Sequence, residues 1–383
     1  MMKKKILFVS EALWIGGIET ALLNLLNRMD YEQYDVTLLL CRAIFDSGMR
    51  ERIPRQCRLR TFDRNEGQYR FNRLYHLCEK TDQPSRLHRA LAWAVPAVRW
   101  IENRLYIRHI RRQMRTERFD TCVIYSDRTA EIAVRAIRAD QYLLFYHNAV
   151  MDKAWHDEIG YRKSRKIIAV SEQKEAELRA FRPKYADKYM AIHNLIDCED
   201  ILRRSQAAPD TVFPKDTYNL VTCGRVAYQK GMDLAVEACA ELVAMGHKNI
   251  HWWFVGSGPA EEEIRARIAR LHMEDHVTML GVRGNPYPYM KQADLYVQPS
   301  RSESYGLTIA EAMVLGKPIV STNTDGIRIF SRVYDRIMLC ECDAHHIARR
   351  IHAAMASPDH QSDSLEAIRA LNQAALDKFT ALL

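Results

Sequence analysis

The sequence predicts an α/β protein built from two doubly wound domains, and three observations lead there. The chain has 383 residues, more than one hydrophobic core ordinarily serves, so two domains of about 150 to 200 residues each are expected. Short β-branched and aromatic runs alternate with segments whose apolar residues recur at helical spacing, the rhythm of a mostly parallel sheet. Midway, residues 204–216 carry Ser205-Gln206-Ala207-Ala208-Pro209-Asp210 and Pro214, the composition of a surface linker.

In the first half, residues 3–10 form a strand that gives way to the loop 11–17, and residues 18–29 follow at helical spacing, so the chain opens as strand, glycine loop, helix. Further strands are expected over residues 35–41, 121–125, 142–146 and 166–171. The second half repeats the pattern, with strands over 218–224, 250–256, 277–281, 295–299 and 318–322 and helices over 232–245, 259–272, 287–292 and 305–315. Residues 364–383 have a helical pattern outside that rhythm. The expected division is therefore a first domain over 1–203, a linker over 204–216, a second domain over 217–363 and a C-terminal helix packing back on the first domain.

The basic start, Met1 to Val9, imitates a signal peptide, but its apolar stretch stops at Ser10-Glu11, short of the roughly 7 to 15 residues such a core needs. The run 90–98 contains Pro96 and is far shorter than the about 20 residues of a membrane span. Nine cysteines are scattered, with Cys340 and Cys342 the one close pair, so free thiols in a reducing compartment, the cytoplasm, are expected rather than disulfides or zinc. The formal charge of +8 favours anionic partners.

Two segments carry chemistry. In Gly224-Arg225-Val226-Ala227-Tyr228-Gln229-Lys230-Gly231 a strand ends in glycine, and Arg225 and Lys230 flank a loop that leads into a helix. A pyrophosphate needs converging cations and helix amides, which this loop supplies; two solvated charges around a turn are the alternative. In Ser300-Arg301-Ser302-Glu303-Ser304-Tyr305-Gly306-Leu307-Thr308-Ile309-Ala310-Glu311-Ala312, Glu303 precedes a helix and Glu311 lies within it. One carboxylate can accept from a sugar hydroxyl and the other from a ribose diol, while the amides of Gly306 and Leu307 meet a phosphate. A helix cap and an exposed face are the plain alternatives, although Glu311 sits among apolar neighbours, where an acid is costly without a partner.

These segments, together with Gly16-Gly17-Ile18-Glu19, Val170-Ser171-Glu172, Val255-Gly256-Ser257-Gly258-Pro259, and Glu311-Ala312-Met313 followed by Gly316-Lys317-Pro318, resemble in order and spacing glycosyltransferase family 4, the retaining enzymes of the GT-B fold. The resemblance implies two Rossmann-like domains with the active site in the cleft between them. It implies Arg225 and Lys230, with Gly306 and Leu307, on the donor diphosphate; Glu311 on the ribose; Glu303, Tyr305 and Gly306 on the transferred sugar; and Val282 and Arg283 near the base. It also implies that the Gly16-Gly17 loop approaches the phosphate or acceptor, and that His147 lines the cleft at the reacting centre with Glu303; alone, a histidine at a strand end is more often structural. No two aspartates are separated by a single residue, so no metal is expected, and Arg225 and Lys230 take its place at the leaving diphosphate. After Asp325-Gly326 the chain departs from the family pattern, with Ile327-Arg328-Ile329-Phe330 leading to residues 336–340.

From residue 87 to 118, Trp93, Trp100, Leu105, Tyr106, Ile107 and Ile110 are interleaved with Arg104, Arg108, Arg111, Arg112, Arg115 and Arg118. A basic, aromatic helix suits an anionic membrane surface; a core-packed helix with a solvated basic face is the alternative. No nucleic-acid motif accompanies these charges. The expected function is a cytoplasmic transferase, peripheral at the inner membrane face, that moves a hexose-type sugar from a nucleotide-sugar to a glycan or lipid-linked acceptor of capsule, exopolysaccharide or lipopolysaccharide. A GT-B-fold sugar-nucleotide epimerase and a non-catalytic nucleotide-sugar-binding subunit are the alternatives.

Overall fold

The computed structural model describes residues 3–42, 47–62, 86–147, 158–356 and 364–383, with the backbone alone for residues 47 and 86–99. Cys78 and the Trp93 side chain lie outside the described residues. In the first sheet β1 (Lys4–Ser10) sits between β2 (Tyr34–Leu40) and β4 (Phe119–Ile124); β3 (Arg58–Thr61) flanks β2, and β5 (Ala139–Tyr146), β6 (Lys166–Ala169) and β7 (Tyr189–Ala191) extend the other side. In the second, β8 (Tyr218–Cys223) is central, with β9 (Ile250–Val255) and β10 (Val277–Gly281) on one side and β11 (Leu295–Gln298), β12 (Ile319–Thr322) and β13 (Ile337–Cys340) on the other. All neighbouring strands in both sheets are parallel.

The strands are near-continuous apolar runs because helices cover both faces of each sheet. Along β1, Ile6 and Phe8 enter the layer that holds the Gly17–Asn27 helix, while Leu7 and Val9 enter the opposite layer with the Arg86–Gln113 helix. In the second sheet Leu220, Trp252 and Phe254 face one layer and Val221, Trp253 and Val255 the other. Three strands lack that apolar signature: β3 is an exposed edge reading Arg-Leu-Arg-Thr, β7 has only three residues, and β13 is half-buried over most of its length.

Two elements tie the domains together. The Ser364–Thr380 helix begins against the second domain, where Ser364 Oγ donates to the Met313 carbonyl at 2.6 Å and Ile368 enters the core. It ends in the first domain, with Phe379 against Phe8 and Phe145 at ring distances of 6.2 and 5.9 Å. The Cys198–Arg204 helix, on the first-domain side of the boundary that composition marks, buries Cys198 and Ile201 in the core of the second domain. None of the eight described cysteines forms a disulfide, and all are buried except Cys342. Among the described residues no helix is long and apolar enough to cross a membrane.

Candidate active site

In each sheet the strand order reverses beside the central strand, between β1 and β4 and between β8 and β11. Crevices beyond the carboxyl ends of strands at such reversals are where parallel sheets bind ligands, because the two flanking loops there splay apart. The loops after β8 and β11 hold the two segments singled out in the sequence.

The β8 loop turns through Tyr228–Lys230 into the Met232–Ala244 helix at Gly231, whose φ of +65° is left-handed. A Cβ there would lie 1.9 Å from the Pro299 carbonyl oxygen, so glycine is required both for the turn and for its approach to the β11 loop. Arg301 stitches the loops together: its guanidinium donates to both Asp233 carboxylate oxygens at 2.7 and 2.6 Å, donates to the Tyr228 carbonyl at 2.8 Å, and lies 4.0 Å over the Tyr228 ring.

Between these loops Lys230 Nζ donates to Glu303 Oε1 at 2.6 Å. The same oxygen accepts from Ser300 Oγ at 2.7 Å and from Gln298 Nε2 at 2.9 Å, and the Glu303 side chain is 8% exposed. Gln298 is itself held by Tyr296, whose hydroxyl donates to Gln298 Oε1 at 2.6 Å, and by Thr308 at 3.0 Å. Donors thus converge on one carboxylate oxygen, a satisfied network that fixes the rotamer of Glu303. Arg225, at the start of the same β8 loop, is exposed and makes no ion pair among the described residues, which leaves a cation available to an anionic ligand.

Glu311 lies deeper, one turn inside the Leu307–Val314 helix, and accepts from the Tyr287 hydroxyl at 3.2 Å. Burial pushes its carboxyl up to about 7, opposed by the Tyr287 hydrogen bond and by the charges of Arg52 and Arg204. That helix opens at Gly306, which caps it at φ +83°. Leu307, its first residue, packs against both domain cores, and a Cβ on Gly17 would lie 3.4 Å from Leu307 Cδ1. The Gly16-Gly17 loop therefore meets the helix N-terminus across the domain interface. Tyr305 is buried, edge-on to Phe330 at 5.1 Å, and its ring lies 5.6 Å from that of His193 in the first domain.

In the first domain, His147 follows β5 and lies 4.6 and 5.7 Å, ring to ring, from Tyr125 and Phe145. Burial pushes its pKa down to about 3, so the ring is neutral, and its buried Nε2 has no hydrogen-bond partner among the described residues. Glu19, in the first turn after Gly17, is raised to about 7 by burial, lowered by its own backbone amide, and further raised by Glu11. Of the base-region pair, Val282 is exposed, whereas Arg283 lies 3.4 Å from Asp210 of the linker and donates to the Tyr289 hydroxyl at 3.2 Å. The divergent stretch after Asp325 supports the loop: a Cβ on Gly326 would lie 2.6 Å from the Glu303 carbonyl oxygen, and Ile327 and Phe330 are fully buried beneath.

Several participants escape sequence inspection. Gln298 and Ser300 are fully buried around Glu303, and their only signal is polarity at the end of an apolar strand. Tyr287, Arg52 and Arg204 reach Glu311 from three separate elements and carry no local pattern. His193 donates or accepts at 2.8 Å with Glu172, whose carboxyl it holds near 2.

Residues 204–370 match the family model for glycosyl transferases group 1. The matched span holds Arg225, Lys230, Glu303 and Glu311, so the group 1 glycosyltransferase likeness covers the second-domain part of the site. The chain is similar to the alpha-D-kanosaminyltransferase of Streptomyces kanamyceticus, 26% identical over 180 residues that make up 45% of this chain and 46% of that protein. It is 28% identical over 150 residues to the O-antigen biosynthesis glycosyltransferase WclY of Escherichia coli, 39% and 40% of the two chains. The chain thus spans less than half the length of these curated relatives. In three dimensions it resembles Anabaena HepE in complex with UDP and glucose, with a TM-score of 0.69 at 16% identity over 98% of this chain and 99% of that one. It also resembles WaaG, a glycosyltransferase involved in lipopolysaccharide biosynthesis, with a TM-score of 0.59 at 13% identity over 97% and 93%. The fold is that of the GT-B glycosyltransferases, two Rossmann-like domains facing each other across a cleft.

Proposed function

We propose that the protein is a retaining, metal-independent glycosyltransferase of family 4 type that moves a hexose-type sugar from a nucleotide-sugar to a glycan or lipid-linked acceptor. The observation that carries the reading is the convergence of Lys230 on Glu303 between two loops at the strand-order reversal, with Arg225 exposed on the same β8 loop and Glu311 buried in the helix that follows Glu303. On donor binding Lys230 turns to the diphosphate beside Arg225, releasing Glu303 to accept from sugar hydroxyls while Glu311 accepts from the ribose diol. The acceptor oxygen attacks the anomeric carbon on the face the diphosphate leaves; the carbon–oxygen bond to phosphate breaks, and a phosphate oxygen takes the acceptor's proton. Arg225, Lys230 and the Leu307 amide stabilise the charge on the departing diphosphate. The neutral His147 ring, whose Nε2 has no hydrogen-bond partner among the described residues, faces the sugar as a hydrogen-bonding wall.

The test is transfer and donor hydrolysis across a panel of nucleotide-sugars, with and without EDTA, for wild type and Glu303→Ala. Transfer that survives EDTA and is lost in Glu303→Ala supports the reading. Conversion of the donor sugar without acceptor establishes an epimerase instead, and nucleotide binding without turnover of any donor establishes a binding subunit.

A further inference from the structure

The edge strand of the second sheet borders a cavity that the proposed reaction does not use. The Ala344–Met355 helix, which follows β13, divides its surface among three neighbours. Ile347, Ala348, Ile351 and Ala354 enter the core of the second domain. His345 and His352 turn to the Met232–Ala244 helix and the residues after it, lying 2.9 Å from Glu241 and 2.7 Å from His247. His346, Arg349, Arg350 and Ala353 recur at steps of three and four and so share the third face. That face lines a cavity of about 420 Å³, whose remaining wall is Asn323, Glu341 and the last residues of β13.

The polar groups of this cavity are not spent on one another. Arg349, Arg350 and Glu341 all line it, yet none of the three forms an ion pair among the described residues. Asn323 Oδ1 accepts from Arg328 Nε at 3.2 Å, which leaves the Asn323 amide nitrogen as a donor. The strand edge adds backbone groups. Ile319 N donates to the Arg336 carbonyl and Asn323 N to the Cys340 carbonyl, both at 2.9 Å, so residues 336, 338 and 340 face β12. By the alternation of a parallel ladder, Leu339 between them turns its amide and carbonyl to the open edge. The cavity lies at the same carboxyl edge as the crevice of Lys230 and Glu303 but is separate from it, since none of Arg225, Lys230, Glu303 and Glu311 lines it.

We propose that this cavity is a second ligand site, for a sugar phosphate. Arg349 and Arg350 offer paired N–H donors to phosphoryl oxygens, joined by the Asn323 amide and the Leu339 N–H, while Glu341 and the Leu339 carbonyl accept from hydroxyls. Two cations against one carboxylate favour an anion. A bare inorganic anion leaves Glu341 unmatched, whereas a polyol supplies it with hydroxyls. The volume falls within the range of about 300 to 1,000 Å³ typical of small-molecule sites. Binding here is independent of the reaction proposed for the crevice.

Calorimetric titration of the full chain with glucose 6-phosphate, glucose and inorganic phosphate tests the site without donor or acceptor. Glucose 6-phosphate should bind saturably, inorganic phosphate about tenfold more weakly, and glucose not at all. Replacing Arg349 and Arg350 together by alanine should weaken the ester about a hundredfold. Glu341→Gln should weaken it about tenfold and leave inorganic phosphate unaffected. These side chains are exposed, so both variants should melt like wild type. Lys230→Met should bind the ester as wild type does, because the crevice is not involved. Hydrogen exchange of the Leu339 amide should slow when the ester is bound. Absence of saturable binding by glucose 6-phosphate, or binding that survives the double arginine replacement, overturns the proposal. Loss of binding in Lys230→Met overturns it too, by placing the ester in the crevice. Equal affinity for inorganic phosphate and the ester overturns the assignment to a sugar phosphate. Failure of this site beside intact sugar transfer leaves the proposed function standing.

Discussion

Replacing Glu311 with glutamine should stabilise the protein at neutral and alkaline pH and weaken its grip on nucleotide-sugar. Burial lifts the Glu311 carboxyl from 4.5 to about 7. Between those values the folded chain keeps the proton and the unfolded chain has lost it, so stability falls by about 1.4 kcal/mol for each pH unit. The contribution is fully present below pH 4.5 and is lost as pH rises through 7, and the loss amounts to about 3 kcal/mol at pH 8. Glutamine still accepts from Tyr287 but does not titrate. For a domain of this size 1 kcal/mol corresponds to about 2 to 4 °C, so the Glu311→Gln protein should melt with wild type near pH 4.5 and about 6 to 12 °C above it at pH 8. Binding should move the other way. The tightest ligand of a nucleotide-sugar panel, whose diphosphate diester does not titrate in this range, should bind wild type more strongly as pH rises from 6 to 8. Its affinity for the variant should be about tenfold weaker and independent of pH. Thermal melts and calorimetric titrations at three pH values measure both effects. A melting difference that does not grow with pH, or unchanged ligand affinity in the variant, refutes the assignment of Glu311 as a buried carboxyl held for a ligand's diol.

Lys230→Met leaves Glu303 with only Gln298 and Ser300, so it should cost about 1 to 3 kcal/mol in a denaturant titration and at least a hundredfold in transfer rate. Gly231→Ala forces a Cβ against the Pro299 carbonyl and should destabilise by more than 3 kcal/mol, whereas Gly246→Ala, also at positive φ but with open space around it, should cost only about 1 kcal/mol; chemical unfolding separates the two. His147 is neutral well below pH 5, so the pH–rate profile of transfer should show no limb from it between pH 5 and 8. His147→Phe should keep the melting temperature within a few degrees and reduce transfer at least tenfold; an unchanged rate removes His147 from the site.

The repeat of strand, glycine loop and helix is legible in the residues themselves, because strands covered on both faces write themselves as unbroken apolar runs and glycines punctuate their ends. The edge strands β3, β7 and β13 are not, since an edge or a three-residue strand buries too little to need such a run. Of the site, Arg225, Lys230, Glu303 and Glu311 stand out in sequence because charges beside left-handed glycines and inside an apolar helix conflict with simple burial. Where those charges point is a matter of tertiary structure. Gln298 and Ser300 join Glu303 only because β11 ends at a strand-order reversal, and Arg52 and Arg204 reach Glu311 only because the domains close on the Cys198–Arg204 helix. The sequence by itself determined the two-domain α/β architecture and the residue types at the site, since periodicity and glycine placement are local properties. The orientation of Lys230 toward Glu303 and the raised Glu311 carboxyl were decided by tertiary structure alone. Burial and distance depend on what chain topology brings together, and no local pattern records that.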